Sequence, residues 1–312
     1  MNFLLICKKF KINHKILQLY NNLQKTEKSM EIKKIICDKE KKLSKFLEQN
    51  LSASYSQIQK LIRNKNIKIN GIRISSETNL VVGDVVEIYL SSPKINIAYE
   101  DDDIVVAVKP RQIETVSETG ESFFGNLKKD RKELYAVHRL DRNTEGLVVF
   151  AKNKEAKQSL DEAFKQRTLH KFYLAWVVGE PKNKKDNLVA YLKKDENKSI
   201  VEISSLPKSG FEKIKTNYNL VWSNGETSIL EVELLTGKTH QIRAHLAHIG
   251  YPIIGDEKYG DSKINKMFKK KFQCLCSYKI IFEFNSKNYL SHLNSKIIEI
   301  DRQNIDFCKN IT

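Results

Sequence analysis

Cysteine is scarce in this chain: five cysteines are scattered among 312 residues. Only Cys274 and Cys276 lie close together, and in an alternating stretch both thiols point to the same side of a strand without making a metal site. This usage excludes the disulfide framework of a small secreted protein and is typical of a reducing compartment. We therefore expect a cytoplasmic protein.

A long apolar run is also missing. The apolar start, residues 3–7, is far too short to cross a membrane or to form the core of a signal peptide. The sequence therefore predicts neither a membrane-spanning segment nor a secreted protein.

Acidic residues are few beside basic ones, with 38 Asp and Glu against 54 Lys and Arg and a formal net charge of +16. This balance favours a polyanionic partner, nucleic acid before an anionic membrane surface. Lys, Asn and Ile are abundant throughout, as in proteins from AT-rich genomes, so charge alone is a weak indication of RNA binding. With 40% apolar residues in 312, the chain is long enough for two domains.

One stretch brings together several side chains that could take part in catalysis: residues 136–150, AVHRLDRNTEGLVVF. Its apolar end, residues 147–150, predicts a strand that enters a buried sheet. A strand does not explain the polar residues before it, which are His138, Arg139, Asp141, Arg142 and Glu145. A solvated turn would explain any one of these charges, but not the arrangement of all five.

The arrangement HRLD, two residues, Thr, one residue, Gly resembles the catalytic motif of the RluA-type pseudouridine synthases. That resemblance implies cleavage of the bond between ribose and uracil, rotation of the base and reattachment through carbon, with no cofactor. Asp141 takes the place of the indispensable aspartate of the family. Arg139 takes the place of the arginine that fills the space left by the flipped base. Glu145 stands where the family usually has Ser.

Two further stretches carry the resemblance. KFYLA contains the K-x-Y-x-A of the family, so Tyr173 is the residue that lies on the uracil and the candidate base for the last proton transfer. LLTGKTHQIRAH and GDEKYG match L-x-T-G-R-T-H-Q-I-R-x-H and G-D-x-x-Y-G, with Lys238 for the usual Arg. Arg243 is then the arginine that pairs with Asp141, a pairing that keeps a buried carboxylate ionised.

The sequence departs from the family motifs at other positions as well, and one group of histidines could suggest a metal site. Lys109 and Pro110 are kept from K-P-x-G, but Gln112 replaces the glycine, and Leu275-Cys276-Ser277 replaces L-H-A. The nearby imidazoles of His240, His245 and His248 have no standard zinc spacing, and the family uses no metal. We expect neither metal nor cofactor.

The N-terminal part predicts a small domain of two helices and a hairpin. The second helix carries apolar residues on one face and basic residues on the other, and the hairpin turns at Asn70-Gly71. This part resembles the S4-type RNA-binding domain, and an ordinary small α+β domain is the alternative. The residues expected to contact RNA are Lys60, Arg63, Lys65, Lys68 and Arg73.

These patterns divide the chain as follows. Residues 1–30 are a basic extension, either disordered or holding a short helix over residues 12–23. Residues 31–92 are the S4-type domain, 93–97 the linker, 98–303 the catalytic domain and 304–312 a tail. The predicted fold class is α+β, and the resemblance implies a mixed, mostly antiparallel sheet with flanking helices and a central cleft.

The resemblance implies that the protein isomerises uridines in structured RNA, with ribosomal RNA of the large subunit expected first and transfer RNA as an alternative. We expect a monomer. A different class of function is an RNA-binding or ribosome-assembly factor without catalysis. A third is a glycosidase that uses Asp141 and Glu145 and releases free base, but a spacing of four residues on a turn does not give the separation of the two carboxylates.

Overall fold

The computed structural model describes residues 29–51, 53, 55–92, 95–118, 121–195 and 198–309. The chain divides into two compact units between residues 94 and 95. Most of the predicted N-terminal extension lies outside the described residues, as does its alternative helix. Residues 29 and 30 already belong to the first strand.

The first unit packs two helices on a small antiparallel sheet. Its elements in chain order are β1 (Ser29–Ile36), β2 (Lys41–Lys42), α1 (Leu43–Asn50), α2 (Tyr55–Arg63), β3 (Ile67–Ile69), β4 (Ile72–Ile74), β5 (Asn79–Leu80) and β6 (Val85–Ser92). Four strands form a sheet in the order β1-β6-β3-β4, and β2 pairs with β5. The helices contribute Phe46, Leu47, Ile58 and Ile62 to the core of the unit.

The hairpin and both helices of this unit were predicted from sequence. Asn70 and Gly71 have φ values of 49° and 84°, which suit a two-residue hairpin turn. The Asn70 side chain also accepts a hydrogen bond from the Val85 N–H at 2.9 Å. Strand β1 was not predicted. It is an edge strand whose Ile32 and Ile36 stay exposed, so it lacks a clear apolar pattern.

The second unit is built on one large sheet. Its strands are β7 (Asn96–Glu100), β8 (Ile104–Lys109), β9 (Tyr135–Ala136), β10 (Glu145–Ala151), β11 (Leu169–Val178), β12 (Lys185–Asp195), β13 (Ile200–Ser204), β14 (Glu212–Ser223), β15 (Thr227–Leu234), β16 (Leu275–Phe282) and β17 (Ile297–Glu299). Its helices are α3 (Phe123–Lys128), α4 (Lys154–Gln166), α5 (Gln241–His248) and α6 (Ser262–Met267), with 3-10 turns at Ser291–Leu293, Arg302–Asn304 and Asp306–Cys308.

The strand order of this sheet is β13-β12-β14-β15-β11-β16-β10-β8-β7, with β9 added on β10 and β17 on β16. In the described part of the chain, the neighbours pair antiparallel except β10 and β16, which run parallel at Glu145↔Cys276 and Gly146↔Ser277. The sheet is therefore mixed and mostly antiparallel, as predicted. Strand β10 is buried on both faces, because Val148 and Phe150 enter one core cluster and Leu147 and Val149 another.

Two predicted boundaries differ from the structure. Strand β7 begins at Asn96, inside the predicted linker, because Ile97 pairs with Ala107 and packs against the core. The predicted tail is packed as well: Ile305 and Phe307 are buried in a cluster with Tyr278. In both places a few apolar side chains hold a short segment on the domain.

Four cysteines of the described chain, Cys37, Cys274, Cys276 and Cys308, are free and buried. Burial raises the pKa of the Cys274 thiol to about 12, so this thiol stays protonated and unreactive. None of the helices described is both long and apolar enough to cross a membrane.

Candidate active site

The loop that carries HRLD joins β9 to β10, and its backbone is held from several sides. Leu140 donates its N–H to the Thr115 hydroxyl at 3.0 Å and accepts a hydrogen bond from it at 2.9 Å. The Thr144 N–H closes a turn on the Asp141 carbonyl at 3.0 Å. These hydrogen bonds to its neighbours fix the backbone on both sides of Asp141.

Lys109 supports the same loop from inside the protein. Its ammonium is fully buried and donates to the carbonyls of Pro110 and Ile113 at 2.9 Å and of Arg142 at 3.1 Å. Burial lowers the pKa of Lys109 to about 8, although Asp141 and Glu145 oppose the shift. One side chain thus ties the loop after β8 to the loop before β10.

The glycine of the motif is required by a close approach of two strands. Gly146 has a φ of 119°, and a Cβ at this position would lie 2.2 Å from the Ser277 carbonyl oxygen. Only glycine allows β10 and β16 to come together here. This contact places the HRLD loop next to the strand that follows the second long motif.

Arg243 and Asp141 meet although 102 residues separate them in the sequence. Arg243 lies in α5, and its Nη1 donates to Asp141 Oδ2 at 3.0 Å. The arginine side chain is only 6% exposed, whereas that of Asp141 is 26% exposed and faces a cleft. The cleft is lined by residues of both long motifs and of KFYLA, among them Arg139, Asp141, Tyr173, His240 and Arg243. Apart from His240, the sequence predicted these residues for one site, and the structure brings them together.

Asp256 holds the other edge of the same guanidinium. It is fully buried and accepts from Arg243 Nε at 2.6 Å and from Nη2 at 2.9 Å. Burial alone would lower the pKa of Arg243, but Asp256 and then Asp141 outweigh it and raise this pKa. Burial likewise opposes ionisation of Asp256, yet Arg243 holds its pKa below the ordinary value. Sequence reasoning missed Asp256; its place in GDEKYG was the available signal.

Tyr173 lies on β11 and is 4% exposed at the floor of the cleft. Burial raises the pKa of its hydroxyl, and the charge of Asp141 adds to the effect. Tyr173 is therefore a neutral phenol at neutral pH. Any role as a base requires that the phenol proton leaves first.

Arg139 lines the cleft with an exposed side chain. No hydrogen bond or ion pair of this side chain is found within the described chain. It differs in this respect from Arg243, whose guanidinium is bound on both edges. The guanidinium of Arg139 is thus not fixed by a polar contact from the described residues.

The second carboxylate of the motif loop is turned to a different arginine. Glu145 accepts a hydrogen bond from Arg111 Nη2 and does not line the cleft. Burial raises the pKa of Glu145, and the guanidinium of Arg111 opposes this shift. Because Glu145 pairs with Arg111 and does not line the cleft, Asp141 and Glu145 do not form the paired carboxylates of a glycosidase. Next to Arg111, Gln112 stands where the resemblance implies glycine, and its φ of 69° lies in the left-handed region.

The three histidines that invited a zinc site do not converge. His240 Nδ1 lies 2.9 Å from the Tyr259 hydroxyl. His245 contacts the hydroxyl of Thr216, and His248 contacts the hydroxyl of Ser205. Elsewhere in the described chain Asp101, Asp103 and His292 come together, but hydrogen bonds within the protein already engage their side chains.

The basic residues of the first unit fall into two groups. Lys60, Arg63 and Lys65 are exposed on and after α2, opposite the buried Ile58 and Ile62. Lys68 and Arg73 instead lie over the ring of Tyr89, at 5.2 and 4.8 Å from its centroid. Arg73 also donates to the Lys65 carbonyl at 2.6 Å. Arg73 is exposed as well and Lys68 is half-buried, so the second group differs from the first by its contact with the Tyr89 ring.

Comparison with known proteins decides the family. The family model for RNA pseudouridylate synthase matches residues 103–248. An uncharacterized RNA pseudouridine synthase of Mycoplasma capricolum subsp. capricolum is 32% identical over 292 residues, which cover 84% of this chain and 94% of that protein. The chain belongs to the RNA pseudouridine synthase family. The predicted enzyme class is confirmed.

Other relatives of this pseudouridine synthase have more specific names. The ribosomal large subunit pseudouridine synthase C of Buchnera aphidicola subsp. Baizongia pistaciae is 34% identical, covering 70% of this chain and 76% of that protein. Its namesake in Vibrio vulnificus is 30% identical, covering 72% and 78%. The structure of human RNA pseudouridylate synthase domain containing 1 has a TM-score of 0.54 at 20% identity and covers 69% of this chain and 87% of that chain. This likeness confirms the fold class.

Proposed function

We propose that this pseudouridine synthase modifies one or more uridines of large-subunit ribosomal RNA, with Asp141 as its catalytic carboxylate. The choice of RNA is supported by the relatives named as large-subunit ribosomal enzymes. The choice of Asp141 rests on one observation: a partly exposed carboxylate faces the cleft and is held on one oxygen by a buried arginine.

That geometry suits the reaction. The bond from C1′ to N1 of uracil breaks, and positive charge develops on the ribose. Asp141 Oδ2 is bound by Arg243, so the second oxygen is available to bond to C1′ or to lie beside it. The base turns within the cleft and rejoins through C5, which then loses its proton while N1 gains one. No atom is added or lost overall.

Arg139 and Tyr173 complete the proposed site. The target base must leave its stack to reach Asp141, and the free guanidinium of Arg139 can take the vacated space. Tyr173 would lie against the uracil ring. The resemblance makes it the candidate acceptor of the C5 proton, a role in which the phenol proton first passes to N1 of the base, the atom that gains a proton in this step.

The first unit is proposed to be an S4-type RNA-binding domain. Lys60, Arg63 and Lys65 present their charges to solvent on one side of α2, where they can contact phosphates. Lys68 and Arg73 add positive charge around Tyr89. We further propose that the protein acts as a monomer.

Asp141→Asn tests the catalytic assignment. The amide keeps the shape and removes the charge, so pseudouridine formation should fall by about 10⁴-fold or more. RNA affinity should stay within about threefold of the parent value. Most of the affinity is expected from contacts between basic residues and phosphates, and the substitution does not change these contacts. The rate can be followed by the release of tritium from C5-labelled uridine. Appreciable turnover by this variant would show that Asp141 is not the catalytic carboxylate. Free uracil among the products would support the alternative that the protein is a glycosidase.

The choice of RNA needs its own experiment. Pseudouridines are mapped in ribosomal and transfer RNA from cells with and without the protein. Loss of one or more sites in the large-subunit RNA, restored by the wild-type protein and not by Asp141→Asn, is the expected result. Loss confined to transfer RNA would replace the proposed substrate.

A further inference from the structure

His240 stands beside the Asp141–Arg243 ion pair, immediately before α5. Its φ of 54° is one that residues other than glycine rarely adopt. In this conformation the imidazole turns towards the cleft, and its Nε2 lies 3.9 Å from Asp141 Oδ2. A strained backbone at such a place indicates that the direction of the side chain matters.

The other side of the imidazole is occupied by Tyr259. His240 Nδ1 lies 2.9 Å from the Tyr259 hydroxyl, and the two rings meet edge to face at 5.6 Å. The same hydroxyl accepts the N–H of Val201 at 2.8 Å. Its own proton is therefore available for Nδ1, which makes Nδ1 the acceptor and places the imidazole proton on Nε2.

The opposite tautomer fits the contacts poorly. With the proton on Nδ1, the Tyr259 hydroxyl would accept twice, and its own proton would have no acceptor within the part of the chain that the structure describes. The lone pair of Nε2 would also face the carboxylate of Asp141. Both neighbours of His240 thus favour the Nε2–H form.

The surroundings of the ring favour its uncharged form. Burial lowers the pKa of His240, and the nearby cations Arg243 and Lys258 lower it further. Asp141 and Asp256 oppose the shift without reversing it. Asp141 is therefore faced by one full positive charge, that of Arg243, and by one neutral N–H.

We propose that His240 is a positioning residue for Asp141, whose Nε2–H closes on Oδ2 when RNA binds and leaves Oδ1 to face the ribose. This rests on the proposed catalytic role of Asp141. Hydrogen bonds of this kind are often long in the free enzyme and shorten in the complex, so the 3.9 Å distance is in keeping with the proposal. A neutral donor steadies the carboxylate without a second positive charge that would weaken it as a nucleophile.

Two variants separate this role from simple packing. The amide of His240→Asn reaches the position of Nδ1 and keeps the contact with Tyr259, and Asn tolerates the left-handed backbone. The amide of His240→Gln reaches the position of Nε2 and can donate to Asp141. We expect the single-turnover rate at saturating RNA to fall by about 10- to 100-fold in the Asn variant, as for the loss of a hydrogen bond to a charged group. The Gln variant should recover most of that loss at equal RNA affinity.

Nitrogen-15 NMR of the imidazole in the wild-type protein gives a readout that does not depend on activity. A neutral ring with its proton on Nε2 at pH 7 is expected, and a charged ring or an Nδ1–H ring would overturn the proposal. Wild-type rates in His240→Asn would overturn it too, and so would equal losses in the Asn and Gln variants. Asp141→Asn is measured in parallel. If that variant is active, the proposed function fails; if it is inactive while His240→Asn is fully active, only the role of His240 fails.

Discussion

Arg243 lies between two carboxylates of different kinds. Asp256 is fully buried and binds two nitrogens of the guanidinium, whereas Asp141 is partly exposed and binds the third. A buried arginine with no partner other than Asp141 would be left uncompensated whenever that carboxylate lost its charge in a covalent step. With Asp256 in place, Arg243 stays paired throughout. The second carboxylate would thus keep Arg243 compensated if Asp141 reacts as proposed.

Arg139 should matter only where a base has to be extruded. Because unstacking a base costs a few kcal/mol, Arg139→Ala should slow modification of a folded RNA by about 100-fold and that of a flexible single strand much less. Single-turnover rates on the two RNAs, with the same target uridine, give the comparison. Arg142→Ala is the matched control. It removes an equal charge from another exposed arginine of the same loop, whose Nε donates a hydrogen bond to the Gln112 carbonyl. Equal losses on both RNAs for Arg139→Ala would contradict a flipping role.

At the scale of single residues, the sequence led to the Asp141–Arg243 pair but not to the residues that hold this pair in place. The pairing of Asp141 with Arg243 follows from the two long motifs. Asp256 and His240 lie in the same motifs, yet their roles depend on how α5 meets the loop after it, and this contact has no pattern in the sequence. Lys109 was noted only as part of K-P, although its ammonium joins two loops of the site.

At the scale of elements, the site depends on the crossing of β10 and β16. These strands pair in parallel over only two residue pairs, at the point where the HRLD loop enters the sheet. The Ser277 hydroxyl adds a bond to the Leu147 carbonyl at 3.2 Å. Because β16 also pairs with β11, which carries Tyr173, a change at this crossing would shift two parts of the cleft at once.

Gly146→Ala tests how tightly the crossing is packed. The new methyl group would meet the backbone of Ser277, which cannot move as a side-chain end can, so we expect a loss of roughly 2–4 kcal/mol in the free energy of unfolding. Denaturant unfolding measures this loss. Gly225→Ala is the control, since Gly225 also has a positive φ, 87°, but nothing lies within 4 Å of an added Cβ. It should lose only about 1 kcal/mol, the cost of the left-handed backbone. Equal losses in the two variants would show that the crossing is not close-packed.

Elements with a clear apolar period were predictable, and those without one were not. Helix α4 buries Ala156, Leu160 and Ala163 on one side and was expected from that pattern. Helix α5 was not predicted, because it is buried nearly all round, polar residues included, and shows no stripe; its buried residues are Gln241, Ile242, Arg243, Ala244, His245 and Leu246. A helix that carries a site residue inward loses the amphipathic signal that would reveal it.

At the scale of the whole molecule, the proposed RNA-binding residues and the proposed catalytic residues lie in different units. The proposed catalytic residues all belong to the second unit, while the described part of the first unit contributes the basic side chains proposed to bind RNA. The sequence predicted this division from composition and resemblance. Which uridine is modified depends on RNA shape and on contacts spread over many basic residues, and no single motif encodes it.

The exposed cations on and just after α2 provide the last test. If Lys60, Arg63 and Lys65 bind phosphates, replacing all three by Gln should weaken RNA binding and flatten its salt dependence. The log–log slope should fall by about one unit for each phosphate that is no longer neutralised, so by up to about three units. Single-turnover chemistry at saturating RNA should change little, because these residues take no part in the reaction.

The control for this test replaces Lys182, Lys184 and Lys185, three exposed lysines of the second unit, by Gln and so makes the same change in net charge. The slope should stay near the wild-type value in this variant, because these three lysines belong to the other unit and are not among the residues proposed to bind phosphates. If the slope falls equally in both triple variants, the synthase binds RNA through its overall charge. If it falls in neither, the face of α2 is merely solvated, and the second unit holds the RNA alone.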